Sequence, residues 1–208
     1  MRYKWLIENN NKNIIVFFNG WGMDEKIVSH LGSVNYDVLM FYDYRSFEHY
    51  NFDFSKYHKK ILICWSMGVF VCNYFYENLK DFDKFIAVNG TQKPIDDNFG
   101  IPVMIYNLTV ENFNELSCEK FVKKISSTVN LKDYCTRSTE DLKQELISIQ
   151  NLKVQKYLKF DKAVVSLKDR IIPPKNQINY WLSQNIKPEE IQGAHSIFDK
   201  YKNWDDLI

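Results

Sequence analysis

The sequence lacks the cysteine arrangements that signal a metal or redox centre. Its four cysteines are Cys64, Cys72, Cys118 and Cys135, which form no CxxC pair and do not cluster with histidine. Neither a zinc site nor a thiol redox motif is therefore indicated. We expect reduced, structural thiols and no bound metal.

Also lacking are an excess of charge of one sign and long apolar runs. The chain has 27 basic and 26 acidic residues, a net charge of +1, which argues against a surface built to bind nucleic acid. No segment approaches the length of about 18 continuous apolar residues that a membrane helix needs, and the first residues lack the apolar core of a secretion signal. We therefore expect a cytoplasmic protein with neither a membrane nor a nucleic-acid partner.

What is present is an alternation of apolar strand-like runs with helical patterns, as in an α/β protein. The length of 208 residues suits one domain over residues 1–208. Strands are expected at residues 3–8, 14–18, 36–44, 60–64, 84–90, 162–167 and 186–191. Helices are expected at residues 24–32, 68–79 and 175–182. The alternation predicts a mostly parallel central sheet flanked by helices.

The alternation stops between residues 91 and 160, where the sequence predicts an inserted helical lid. Two apolar patterns with helical spacing lie in this segment. The first consists of Cys118, Phe121, Val122, Ile125 and Val129, and the second of Leu142, Leu146 and Ile149.

A probable nucleophile lies where the strand at residues 60–64 gives way to a helix. The segment CWSMG resembles the GxSxG nucleophile elbow, in which a sharp turn between strand and helix exposes a serine hydroxyl. Ser66 is that serine, and Cys64 replaces the first glycine. Cysteine is small enough to allow the turn.

An acid and a histidine follow in the order that a Ser-Asp-His hydrolase of this type requires. Asp169 comes directly after the strand at residues 162–167, and His195 lies in a loop after the last strand. Asp161 precedes its strand and is the weaker alternative. The remaining histidines, His30, His49 and His58, are more typical of surface or packing positions.

The loop NGWG, which follows the second strand, is the expected oxyanion loop. Gly20 and Gly22 let the backbone turn its N–H groups toward the site. The N–H groups of Trp21 and of Met67 are the expected donors to the oxyanion. The alternative is a simple glycine turn with Trp21 packed on the surface.

The motifs FFNGWGMD, CWSMG, NGT, LKDRIIP and GAH together resemble the BioG-type pimeloyl-[acyl-carrier-protein] methyl ester esterases of biotin synthesis. The resemblance spans nearly the whole chain. It implies a compact α/β-hydrolase that removes the methyl group from a pimeloyl chain carried by acyl carrier protein, without a cofactor. It places the family's catalytic residues on Ser66, Asp169 and His195, and its oxyanion-loop tryptophan on Trp21.

An acidic carrier protein would need a basic surface, and residues 120–159 contain nine basic and four acidic residues, a net charge of +5. Such a charge run is also typical of a solvated helix face. The candidates for contact with the substrate or carrier are Gly20, Lys123, Lys124, Arg137, Phe113, Phe121 and Leu142. The last three are candidates for an apolar channel, with packing inside the lid as the alternative.

Two other functions remain open from the sequence. A triad fixes the type of reaction but not the acyl group, so a broader carboxylesterase or thioesterase is one alternative. The other is a catalytically silent binding protein with the same fold.

Overall fold

The computed structural model describes residues 1–47, 50, 52–126 and 136–208. Their centre is a seven-stranded sheet in the order β1-β3-β2-β4-β5-β6-β7. The strands are Arg2–Ile7 (β1), Asn13–Phe18 (β2), Tyr36–Tyr42 (β3), Lys59–Trp65 (β4), Lys84–Val88 (β5), Lys162–Ser166 (β6) and Glu189–Ile191 (β7). β1 pairs antiparallel with β3, and all other pairs are parallel. The predicted mostly parallel sheet is confirmed.

The central strands are apolar on both faces because both faces are covered. In β2, Ile14 and Val16 pack in the core on one side of the sheet, whereas Ile15 and Phe17 pack on the other. All four side chains are fully buried. This is the pattern expected of a parallel sheet between layers of helix and loop, and it accounts for the continuous apolar run in the sequence.

Helices connect the strands and cover the sheet. The α-helices of the described residues are Gly68–Val71 (α1), Tyr76–Leu79 (α2), Val103–Glu111 (α3), Glu115–Ile125 (α4), Thr139–Asn151 (α5) and Pro174–Ser183 (α6). Short 3₁₀ turns lie at Glu25–Ile27, Cys72–Phe75, Phe198–Lys200 and Trp204–Leu207. No described helix is long and apolar enough to span a membrane.

Two of the predicted helices differ from the structure: one is interrupted and the other is shorter. The helix predicted at residues 68–79 contains the 3₁₀ turn Cys72–Phe75 between α1 and α2. Here the side chain of Asn73 donates to the carbonyl oxygens of Val69 and Phe70, at 3.0 and 2.8 Å, and such bonds compete with helical backbone bonds. The helix predicted at residues 24–32 is reduced to Glu25–Ile27, although Asp24 caps it as its type suggests.

The described residues between β5 and β6 contain three helices, where the sequence predicted two. α4 and α5 correspond to the predicted patterns, and Val129 lies outside the described residues. α3 was not predicted. The Tyr106 hydroxyl on α3 donates to the carbonyl oxygen of Leu146 on α5 at 2.9 Å, which ties these two helices together.

The carboxyl ends of the parallel strands lie on the same side of the sheet. The predicted catalytic residues and the predicted oxyanion loop follow these ends. Residues 19–22 follow β2, Ser66 follows β4, and Asp169 follows β6. His195 follows β7. Ligands of open α/β sheets bind outside the carboxyl ends of the strands, so the fold gathers these residues where a site is expected.

Candidate active site

Ser66 lies in a sharp turn between β4 and α1. Its φ of 56° is in the left-handed region that is costly for a residue with a side chain. Two glycines make room for the turn. A Cβ on Gly68 would lie 2.3 Å from the carbonyl oxygen of Phe18, and one on Gly90 would lie 2.3 Å from that of Ser66 itself. The turn therefore depends on glycine at both positions.

Ser66, His195 and Asp169 form a continuous hydrogen-bonded chain. The Ser66 hydroxyl lies 2.8 Å from His195 Nε2, and His195 Nδ1 lies 2.7 Å from Asp169 Oδ2. A carboxylate accepts from Nδ1–H, which leaves Nε2 to accept the serine proton. All three residues are buried. In this arrangement the imidazole is oriented to remove the proton from the serine hydroxyl.

The Asp169 carboxylate is held by several further donors. Its Oδ1 accepts from the backbone N–H groups of Ile171 and Ile172, at 2.8 and 3.1 Å. Its Oδ2 accepts from Gln177 Nε2 at 2.8 Å. Gln177 lies on α6 and is fully buried. The alternative acid, Asp161, instead accepts from the backbone N–H of Phe85 at 2.8 Å, at the other end of the strands.

The loop that carries His195 is fastened to the sheet through its backbone. The carbonyl oxygen of His195 accepts from Trp65 Nε1 at 2.9 Å and from Asn89 Nδ2 at 2.7 Å. Asn89 also accepts from the backbone N–H of Ser166 at 2.7 Å. Neither Asn89 nor Gln177 was among the residues predicted from the sequence. Asn89 had a signal in the NGT motif after β5, whereas nothing in the sequence marks Gln177.

Residues 20–22 form a loop beside Ser66, and its backbone is held on both sides of Trp21. Gly20 N–H donates to the buried Asn19 Oδ1 at 2.9 Å, and Gly22 N–H donates to Glu145 Oε2 at 3.2 Å. The backbone N–H groups of Trp21 and Met67 donate to no acceptor in the described part of the chain. Both residues line the same cleft as Ser66, so both N–H groups are available to a ligand there.

A buried ion cluster lies behind this loop. Glu145 on α5 pairs with Arg137 Nη2 at 2.7 Å, and Arg137 Nη1 lies 2.9 Å from Asp43 Oδ1. Burial raises the pKa of the Glu145 carboxyl, and the charge of Arg137 opposes this. The guanidinium of Arg137 thus faces two carboxylates inside the protein, away from the cleft.

A cleft of about 240 Å³ opens above Ser66. Its walls are mainly apolar and include Phe113 and Phe121, as the sequence suggested for a channel. Lys124 also lines it, together with Lys120 and Arg170. Among the predicted contact residues, Gly20 also lines this cleft, whereas Lys123, Arg137 and Leu142 do not. Leu142 instead accepts a hydrogen bond from Trp21 Nε1 at 2.9 Å through its carbonyl oxygen.

The other histidines lie apart from this arrangement. His30 Nε2 is 2.9 Å from the carbonyl oxygen of Phe198, and His58 is exposed and lies directly before β4. His49 lies outside the described residues.

Comparison with known proteins gives a family match over the whole chain. A family model described as "Pimeloyl-ACP methyl esterase BioG" matches residues 1–207. The crystal structure of BioG from Haemophilus influenzae is 33% identical, with a TM-score of 0.90 over 100% of this chain and 99% of that one. A protein described as uncharacterized, also from Haemophilus influenzae, is 34% identical over 205 residues, 94% of each chain.

More distant matches show the fold. A putative aryl esterase from Burkholderia cenocepacia is 12% identical with a TM-score of 0.63, over 92% of this chain and 85% of that one. MenH from S. aureus is 13% identical with a TM-score of 0.62, over 98% of this chain and 93% of that one. The predicted α/β-hydrolase fold is thereby confirmed.

One relative is much longer than this chain. The malonyl-[acyl-carrier protein] O-methyltransferase of Bacteroides fragilis is 34% identical over 194 residues. The match covers 88% of this chain but only 39% of that protein.

Proposed function

Because the chain belongs to the pimeloyl-ACP methyl esterase BioG family, we propose that it hydrolyses the methyl ester of pimeloyl-[acyl-carrier protein] to pimeloyl-[acyl-carrier protein] and methanol in biotin synthesis. The family and the fold support a carboxylic ester hydrolase. The observation that carries the proposal is the buried chain of hydrogen bonds from Ser66 through His195 to Asp169, at the base of an apolar cleft.

The proposed reaction is acyl transfer through a covalent intermediate. His195 takes the proton of the Ser66 hydroxyl while the serine oxygen attacks the ester carbonyl. The tetrahedral intermediate collapses, and His195 gives its proton to the departing methoxide, which leaves as methanol. Water, deprotonated by His195 in turn, then attacks the acyl-serine, and His195 gives this proton to the departing Ser66 oxygen as the carboxylic acid is released.

The backbone N–H groups of Trp21 and Met67 are the proposed oxyanion donors. Both are unpaired within the described residues and border the cleft above Ser66. Donors that are already oriented stabilise the charge that develops on the carbonyl oxygen, and one such donor is worth about 10²–10³ in kcat. Asp169 keeps the imidazole in the required tautomer and stabilises its cationic form.

The acyl chain is proposed to lie along the apolar wall of the cleft, against Phe113 and Phe121. The proposed lid, residues 91–160, contributes both phenylalanines and two of the three basic residues that line the cleft. Lys120 and Lys124 on α4 and Arg170 after β6 would attract the acidic carrier and its phosphate. The structure places Arg137 in a buried ion pair, and the proposal therefore gives it no contact with the carrier.

The Bacteroides fragilis relative offers independent support for a methyl ester on a carrier. Part of that protein is similar to this chain, and its name describes a methyltransferase that acts on a malonyl group on acyl carrier protein. A methylated carboxyl group on a carrier-bound chain is the product of such a reaction. It is also the group that the proposed esterase removes.

Substrate preference separates this proposal from a broader esterase. We expect kcat/KM for the carrier-bound pimeloyl methyl ester to exceed that for a free short-chain methyl ester by at least about tenfold, or about 1.4 kcal/mol of binding to the carrier. Equal values for the two esters would favour a broad carboxylesterase. A preference for a carrier-bound thioester would favour a thioesterase.

Reactivity of Ser66 separates an enzyme from a silent binding protein. A fluorophosphonate probe is expected to label the purified protein once per chain, and Ser66→Ala is expected to remain unlabelled. Ser29→Ala is a matched control, because Ser29 is an exposed serine that hydrogen-bonds only to the carbonyl oxygen of Lys26. An unlabelled wild-type protein would contradict the proposal.

A further inference from the structure

The lid helix α5 contributes a fully buried carboxylate that bonds to two backbone segments of the sheet domain. Glu145 is 0% exposed. Its Oε1 accepts from the backbone N–H of Tyr44 at 2.9 Å, and its Oε2 accepts from that of Gly22 at 3.2 Å. A buried carboxylate is costly unless it is paired and hydrogen-bonded, and Arg137 supplies the countercharge at 2.7 Å.

Hydrogen bonds to buried side chains hold the backbone on both sides of Trp21. Gly20 N–H is held by Asn19 Oδ1 at 2.9 Å, and Gly22 N–H is held by Glu145. The peptide group between them carries the N–H of Trp21. Its two neighbouring peptide groups are therefore both fixed by buried side chains, while its own N–H has no acceptor in the described part of the chain and Trp21 lines the cleft.

A second bond from α5 acts on the same loop. Trp21 Nε1 donates to the carbonyl oxygen of Leu142 at 2.9 Å, one helical turn before Glu145. The Trp21 ring also packs edge-on against Phe113 and Phe121, with centroid distances of 5.3 and 4.5 Å. The side chain and the following peptide group of Trp21 are thus both held by the segment at residues 91–160.

We propose that Glu145 is a positioning residue for the oxyanion hole: its carboxylate fixes Gly22 and thereby aims the N–H of Trp21 at the ester carbonyl. The inference rests on the proposed function, because it needs Trp21 to be an oxyanion donor. Glu145 does not line the cleft and does not touch the substrate. Its effect is therefore confined to the transition state, where the oxyanion forms.

This role connects the lid to the chemistry of the reaction. Since α5 holds the loop in place, the oxyanion hole is complete only when α5 is seated on the sheet domain. Glu145 and Arg137 fix that seating with a buried ion pair and two backbone bonds. Such preorganisation avoids the cost of turning a dipole during the reaction.

The test compares Glu145→Gln with Glu140→Gln. Glutamine keeps the shape of Glu145 but has only one acceptor oxygen, so either Gly22 or Tyr44 loses its acceptor and faces an NH₂ group. Glu140 lies on the same helix, is exposed, and accepts only from Gln144 Nε2. Active sites are counted with a fluorophosphonate, so kcat is measured per reactive serine.

We expect kcat of Glu145→Gln for a methyl ester to fall about 10- to 100-fold, less than the loss of about 10²–10³ that follows removal of a whole oxyanion donor. KM should stay within about twofold of the wild-type value. The inhibition constant of a trifluoromethyl ketone, whose hemiketal adduct with Ser66 places an oxyanion in the hole, should rise by the same factor. Glu140→Gln should match the wild type. A structural role alone would reduce the number of reactive serines and leave kcat per serine unchanged, which would overturn the inference.

If Glu145→Gln does not fold, Trp21→Phe decides the question. It removes the indole N–H bond to Leu142 and part of the ring that packs against Phe113 and Phe121, and it leaves the ion pair and the backbone N–H of Trp21 in place. A lower kcat at constant KM supports positioning by α5, and an unchanged kcat overturns it. A wild-type protein that neither labels nor hydrolyses esters would overturn the proposed function as well, whereas an active wild type with a normal Glu145→Gln variant overturns the inference alone.

Discussion

At the scale of single residues, the unusual backbone of Ser66 is the feature on which the site depends. A serine with φ of 56° is strained, and the turn persists because Ser66 N–H donates to the carbonyl oxygen of Val88 at 2.9 Å and because glycines surround it. Strain of this kind is typical of residues that must present a reactive group.

Gly68→Ala tests the turn. The added methyl group would meet the backbone of Phe18 at 2.3 Å and of Asn19 at 2.7 Å, so the strand end must shift. We expect the free energy of unfolding in urea to fall by about 1–3 kcal/mol and hydrolysis to drop sharply. Gly32→Ala is the control, because its methyl group would come no closer than 3.3 Å to a side-chain oxygen. Equal stability of the two variants would contradict this account of the turn.

Gln177→Leu tests the support of Asp169. The variant removes one donor to the carboxylate and also a side-chain oxygen, Gln177 Oε1, that has no partner in the described part of the chain. The variant also removes the donor to the carbonyl oxygen of Ile172, at 2.8 Å, so the free energy of unfolding is expected to fall by about 1–3 kcal/mol. We expect kcat per active site to fall about tenfold through poorer orientation of His195. Gln184→Leu, at an exposed position after the same helix, should keep full activity. A fully active Gln177→Leu would exclude a role for this residue in positioning Asp169.

The site residues that lie in a recognisable local motif were predicted from the sequence, and those outside such a motif were not. Ser66 has its turn motif and Asp169 and His195 follow strands, and the structure joins their side chains. Gln177 and Glu145 are polar residues in helices, and only the tertiary fold brings them to Asp169 and to Gly22. Their contacts are set by packing between distant segments, which one sequence does not display.

At the scale of elements, the central strands β2 to β6 were predicted well, because burial on both faces of the sheet leaves a continuous apolar run in the sequence. The helix α3 was missed for the opposite reason. Val103, Met104, Ile105 and Leu108 are exposed, and Tyr106 is its only buried residue. Without an apolar face at helical spacing, and with several β-branched residues, its sequence does not favour a helix over other structures.

Helix α4 presents adjacent lysines in different settings, and this allows a matched test of the carrier surface. Lys124 lines the cleft, whereas Lys123 does not. Lys124→Glu is expected to lower kcat/KM for the carrier-bound ester about tenfold, mostly because association with the carrier becomes slower. The difference from the wild type should decrease as the salt concentration rises. Lys123→Glu should have a smaller effect, and neither variant should alter hydrolysis of a small free ester. An unchanged rate for Lys124→Glu on the carrier-bound ester would contradict this role of α4.

The ion cluster behind the proposed oxyanion loop predicts a pH-dependent contribution to stability. Burial acts to raise the pKa of the Asp43 carboxyl, but the hydrogen bond from Arg45 and the charge of Arg137 lower it overall, below its ordinary value of 3.8. A lowered carboxyl pKa stabilises the folded protein above the unfolded pKa, and this stabilisation is lost as pH falls through the folded pKa.

Asp43→Asn should therefore lower the free energy of unfolding at neutral pH by about 1–3 kcal/mol, the range for hydrogen bonds to a charged group. Asparagine tolerates the left-handed φ of 56° at this position, so the backbone is unchanged. The difference from the wild type should shrink as pH falls below about 4. A difference that is constant with pH in urea titrations would show that the charge of Asp43 is not its cause.

At the scale of the whole molecule, the sheet and the helical segment divide the work of the proposed enzyme. The strand ends supply the nucleophile, the base and the acid. Residues 91–160 supply the apolar wall of the cleft, the lysines at its border and the Glu145 bond to the oxyanion loop. The chain as a whole is almost neutral, so attraction of an acidic carrier would come from this segment and from Arg170 beside it.

The most direct test is the mass of the carrier protein after incubation of pimeloyl-carrier methyl ester with the purified protein. Hydrolysis replaces the methyl group with hydrogen, so we predict that the mass of the carrier falls by one methylene unit with the wild type and is unchanged with Ser66→Ala. An unchanged carrier mass with a wild-type protein whose Ser66 reacts with fluorophosphonate would contradict the proposed substrate. A loss of mass with Ser66→Ala would contradict the proposed nucleophile.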